Sequence, residues 1–135
     1  MTTPRAVSSQ VTAELLLQVF DLPVSFHRCL VPITGGITAA LMLSHAIWTT
    51  HDLDPDSNGW FMKSQEEWTD DTGLSRWEQE TARRALRSAG LLEERRVGMP
   101  AKLWYRVRPD HVWQALRDRA ARLAAQRHLE ERGRA

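Results

Sequence analysis

Apolar residues at Val11, Leu15, Leu16 and Val19 recur with the spacing of one helix face, which predicts a short amphipathic helix over about residues 9–20, stopped by Pro23. The next stretch changes period. "VSFHRCLVPI", residues 24–33, alternates apolar and polar positions and predicts a strand that Pro32 closes. From about Gly35 to Thr50 the chain is apolar nearly all round, with Thr34 placed to cap it. That pattern belongs to a helix at the centre of a core.

"HDLDPDSNGW" holds four Asp or Asn residues, a Pro and a Gly, and is a loop by composition. Trp60, Phe61 and Met62 follow as a very short strand. Two capping-box spacings come next, Ser64 with Glu67 and Ser75 with Glu78, each a hydroxyl three residues ahead of a glutamate. They predict helices over about 65–72 and 76–89. Gly73 ends the first in the positive-φ conformation that glycine adopts freely, and Gly90 stops the second. "LLEERRV" and "KLWYRVR" flank "GMPA" and read as two strands joined by a tight turn. Pro109 breaks the second strand, and Asp110 is placed to cap a last helix over about 111–130. Val112, Leu116, Ala120, Leu123 and Ala124 form one face of it, and "EERGRA" is expected to fray.

This order of elements is that of a winged helix-turn-helix. The expected fold class is α+β, mainly helical, with extra helices at both ends. Residues 1–22 form an N-terminal helical extension, 23–109 the winged helix-turn-helix and 110–135 a C-terminal helix with its tail. Trp68, Leu74, Ala82, Leu86 and Ala89 are expected to pack between the two capped helices and onto the helix at 35–50. Leu103, Tyr105 and Val107 bring the hairpin onto one flank.

Composition sharpens the picture at two points. The 135 residues, 42% hydrophobic and 26% charged, suit one globular domain with a core of its own. The net charge of +1 conceals two halves: residues 1–71 carry three basic and nine acidic side chains, residues 72–135 fifteen basic and eight acidic. Such asymmetry points to a polyanion-binding face or to two lobes that attract each other. The lone Cys29 forms no internal disulfide, and no secretory leader or membrane-length apolar run is visible, so a cytoplasmic location is expected.

The run "GWFMKSQEEWTDDTGLSRWEQETARRALRSAGLLEERRVGMPAKLWYRV" resembles the winged-helix module of phage and plasmid replication-initiation and replisome-organiser proteins, closely over residues 59–107. Carrying the resemblance are the Gly-Trp-aromatic strand, the "EEW" helix, "TGLSRWEQETARR" and the "GMPAKLWYR" wing. "FHRCLVPITGGITAALMLSHAIW" is similar to that family's opening strand and first helix. The resemblance implies binding of duplex DNA. In such proteins the module often precedes a second domain that contacts helicase or helicase loader, and this sequence stops soon after its last expected helix.

Candidate contact residues follow from helical geometry. At about 100° per residue, with Ala82, Leu86 and Ala89 inward, the outward arc of the helix at 76–89 holds Trp77, Glu80, Arg84 and Arg87. Arg76, Thr81, Arg83 and Ser88 sit on its shoulders. In a winged helix-turn-helix this helix enters the major groove, so Arg76, Thr81 and Arg84 are candidates for bases or phosphates. Arg83 and Arg87 suit phosphates, and Arg95, Arg96 and Lys102 belong to the wing. A plainer reading makes the arginines a solvated face, with Glu80 and Arg84 as an i, i+4 pair. Glu80 would repel phosphate, although it could accept from cytosine. Of six tryptophans, only Trp77 and Trp104 point outward by periodicity, and packing on the hairpin or a neighbouring subunit suits Trp77 better than intercalation.

Other chemistry is weakly signalled. The histidines are scattered, His27 and Cys29 lack a second ligand pair, and His45 reads as a hydrogen-bonded core residue. Gly35–Gly36 lacks the Lys-Ser/Thr of a phosphate loop, and Asp52, Asp54 and Asp56 form at most half of a calcium loop. No enzyme, metal or cofactor is expected. Two functions remain open: a duplex-DNA binder in replication initiation or transcriptional regulation, with a homodimer or a replication-machinery protein as further partners, or a protein-interaction adaptor or inhibitor on a winged-helix scaffold. The acidic half, Glu80 and Trp77 favour the second.

Overall fold

The computed structural model describes residues 10–134. Helix α1 spans Ala13–Val19 and starts at Thr12, whose hydroxyl accepts from the Leu15 amide at 3.2 Å. It is shorter than expected, and residue 9 lies outside the described residues. None of its residues is buried. The segment expected as a strand, 24–33, belongs to no sheet. It runs extended to His27, then tightens into a 3₁₀ turn (Arg28–Leu30) and a single-turn helix α2 (Val31–Thr34). Pro32 is the reason: in a first helical turn its missing N–H costs nothing, whereas a strand would lose a ladder bond. Thr34 does not cap the following helix. Its hydroxyl bonds the Leu30 carbonyl at 2.7 Å, and Gly35, at φ 92°, turns the chain.

Helix α3 (Ile37–His51) runs through the core, with Ala39, Ala40, Met42, Leu43, Ser44 and Ala46 buried against the helices and sheet that follow. A strand β1 (Trp60–Met62) leads into α4 (Gln65–Thr72) and α5 (Arg76–Ser88), which are joined across Gly73–Ser75. Both capping boxes form as expected: each serine hydroxyl accepts from the glutamate amide, and each glutamate bonds back to the serine amide. Gly73 sits at φ 78°, a left-handed turn that lets α5 leave α4 at once. Ala89, expected inward, is exposed, because α5 ends one residue earlier and Ala89 is its cap.

The hairpin of β2 (Leu92–Val97) and β3 (Lys102–Val107) joins β1 in an antiparallel sheet of order β1-β3-β2. Register puts Phe61, Leu92, Tyr105 and Val107 on the inner face, where Trp68 meets Tyr105 edge-on at 5.6 Å. The last helix, α6, spans Pro109–Arg134. Pro109 is its first residue, so Asp110 is within the helix and not its cap. Residues 130–134 are helical instead of frayed, which suits a stretch rich in Ala, Leu, Gln, Glu and Arg. Only Val112 is buried, with Leu116 partly covered; Ala120, Leu123 and Ala124 lie bare. Trp48 and Trp113 are also exposed, against expectation, and Trp104 is half-buried. The fold is thus α+β, mainly helical, with a layout compatible with a winged helix. No single helix among the described residues is long and apolar enough to cross a membrane.

Candidate nucleic-acid interface

Two side chains invisible as contact candidates fix the geometry here. Gln79, buried in α5, points its amide nitrogen at the Gln65 carbonyl (3.1 Å), the Thr69 hydroxyl (3.0 Å) and the Leu74 carbonyl (3.1 Å). It thereby fastens α5 to α4 and to the turn between them. Glu94 lies on the inner face of β2, paired with Tyr105 across the sheet, and its side chain is almost covered. Arg83 reaches it with two bonds, Nε to Oε1 at 2.6 Å and an amino nitrogen to Oε2 at 3.1 Å. Arg87 adds a third at 2.7 Å. This charged clamp holds the hairpin against α5. Periodicity did contain the signal: Gln79 falls on the row of Ala82 and Leu86, and Glu94 is two residues beyond Leu92.

Between α5 and the hairpin base the clamp frames a polar hollow of about 340 Å³, whose wall includes Arg76, Glu80, Arg84, Arg87 and Arg96. Among the described residues no ion pair engages Arg76, Arg84 or Arg96. Arg83 also borders the hollow but is only 7% exposed, and its bonding to Glu94 holds the guanidinium even further above its ordinary pKa. Expected as a phosphate contact, it is instead occupied internally: Glu94 absorbs its charge. Arg87 is half exposed and divides its donors between Glu94 and the opening.

The remaining candidates separate. Trp77 is 73% exposed on the outer side of α5, and Thr81 donates its hydroxyl to the Trp77 carbonyl at 3.1 Å. Arg95 points to the opposite face of the sheet, because strand neighbours alternate, and its guanidinium lies 4.6 Å from the centre of the Trp60 ring. Arg106 approaches the same ring at 4.9 Å. Arg95 therefore does not join the surface of α5. Lys102 lines an adjoining hollow with Arg96, Ser64 and Gln65, at the start of α4. A third depression brings Glu66 and Asp70 beside Arg76, so the basic surface has an acidic margin.

His45 is half-buried beneath α4, with Nε2 3.0 Å from the Lys63 ammonium, which also bonds Asp71. Burial first, and the Lys63 charge second, lower the His45 pKa, while Asp71 is lowered chiefly by its bond to Lys63. Among the described residues no group of three His, Cys, Asp or Glu side chains is placed to hold a metal ion. In comparisons with known proteins, no family model, curated protein or solved structure matches the chain significantly.

Proposed function

We propose that this chain is a winged helix-turn-helix protein that binds duplex DNA, of mobile-element type, serving replication initiation or transcriptional regulation, and that it is not an enzyme. One observation carries the reading: Arg76, Arg84, Arg87 and Arg96 converge from α5 and the hairpin on one polar hollow. In this reading α5 lies in the major groove. Arg84, outermost on that helix, meets base edges or phosphate, and Arg87 and Arg96 grip the backbone on the hairpin side. The clamp at Glu94 supplies rigidity, holding helix and wing at one separation. Glu80 tempers the positive field and offers an acceptor to cytosine.

The test is anisotropy of a labelled duplex titrated with the full chain at about 50 and 200 mM salt, where several neutralised phosphates give a steep loss of affinity. Replacing Arg84 and Arg96 by Ala together removes two phosphate contacts and lowers the salt slope by about two. Equal affinity and slope for wild type and double variant would sink the reading. A second reading is favoured by Glu80 within the hollow, by Glu66 and Asp70 beside Arg76, and by the bare Trp77. It makes the same surface a protein-binding face. No duplex binding at low salt, together with a stoichiometric protein partner lost in Trp77→Ala, is its signature.

A further inference from the structure

We infer that the chain pairs with a second copy of itself, the helix α1 of each copy seated in an apolar groove of the other. The groove, about 360 Å³, lies between the end of α3 and the start of α6, with Ile47, Val107, Val112, Trp113 and Leu116 in its wall. Its surroundings add bare tryptophan: Trp113 is 63% exposed, and Trp48 stands open one turn away on α3. The candidate occupant has the matching property. Leu15, Leu16, Leu17, Val19, Phe20 and Leu22 are all exposed, and no residue of α1 is buried in its own copy. Contiguous apolar surface of that kind marks an interaction site.

Charge selects the partner. Between Gln10 and His27 the charged side chains are Glu14 and Asp21, with no Lys or Arg. Downstream of the groove α6 presents Arg117, Arg119 and Arg122 against Asp118. The acidic arm is thus attracted to the basic helix, whereas pairing of α6 with α6 opposes like charges. The link from α1 is exposed over residues 21–25 before the His27 amide bonds the Ser44 hydroxyl at 3.0 Å, so the arm stands clear of its own domain. Each copy has a helix without a seat and a seat without a helix. A two-fold exchange satisfies both twice.

Light scattering on the full chain at tens of micromolar is expected to give twice the 15.5 kDa chain mass. Leu16→Asp with Val19→Asp in the arm, or Trp113→Glu in the groove, returns the mass to one chain with an unchanged circular dichroism spectrum. Mixing arm and groove variants restores a two-chain species, since one intact seat and one intact arm still meet. A wild-type mass of one chain overturns the inference, whether the arm folds onto its own groove or serves another protein. So does a dimer that survives both variants, or a mixture that stays monomeric. None of these outcomes depends on whether the arginine hollow binds DNA.

Discussion

Arg83 is the side chain whose surroundings most change its meaning. On a helical wheel it is one more basic residue on the shoulder of α5; in the fold it is the partner of a carboxylate that is almost out of water. Removing one member of a buried pair strands the other, which costs about 3–5 kcal/mol in general. Because Arg87 still bonds Glu94, Arg83→Ala is expected to cost about 3 kcal/mol, the low end of that range, read as a lower urea midpoint. Arg84→Ala, on a fully solvated position, should leave stability within about 0.5 kcal/mol of wild type. The two variants separate arginines that the sequence presents as equals. The alternation of β2 marked Glu94 as inward-facing, but only the packing of β2 on α5 reveals which arginine it claims.

At the level of elements, local chemistry was most legible where it is self-contained. The serine–glutamate pairs at 64/67 and 75/78 announce their helices because both partners lie within one turn. Ser75→Ala is expected to cost about 1 kcal/mol, measured by denaturation with an unchanged denaturant slope. Gly73→Ala finds open space for its methyl group but keeps the positive φ, so about 1 kcal/mol of backbone strain is the expected loss. Residues 24–33 were misread for the opposite reason. Alternation is ambiguous over a stretch this short, and whether Pro32 ends a strand or begins a helix depends on Ser44 waiting in α3 to bond the incoming chain. The bare face of α6 was equally illegible: periodicity shows that a face is apolar, not that anything covers it.

For the whole molecule, the halves of opposite charge do not simply attract as two lobes. The acidic residues of α4 border the arginine hollow, while Lys63, a lone cation in the acidic half, is drawn inward to Asp71 and His45. That cluster makes stability depend on pH. His45 titrates lower when folded than its ordinary value of 6.5, so the unfolded chain binds the extra proton first. Stability is therefore full above about pH 6.5 and declines as pH falls below it; Asp71, also lowered, adds its loss further down, below its ordinary 3.8. Thermal melts between pH 7.5 and about 5 should show a falling midpoint, and His45→Gln should flatten that fall. A midpoint that rises on acidification would contradict this account.

The clamp at Glu94 stops partway along the hairpin. From Arg95 to Lys102 every residue is exposed, and Met99 is 99% so, while the base is fastened to α5. The tip is consequently a place to attach a reporter. A dye at Met99→Cys, in a Cys29→Ser background, would perturb no packing and would brighten or quench according to what the tip encounters. One labelled chain could then distinguish a duplex, a second copy and bare solvent by signal alone.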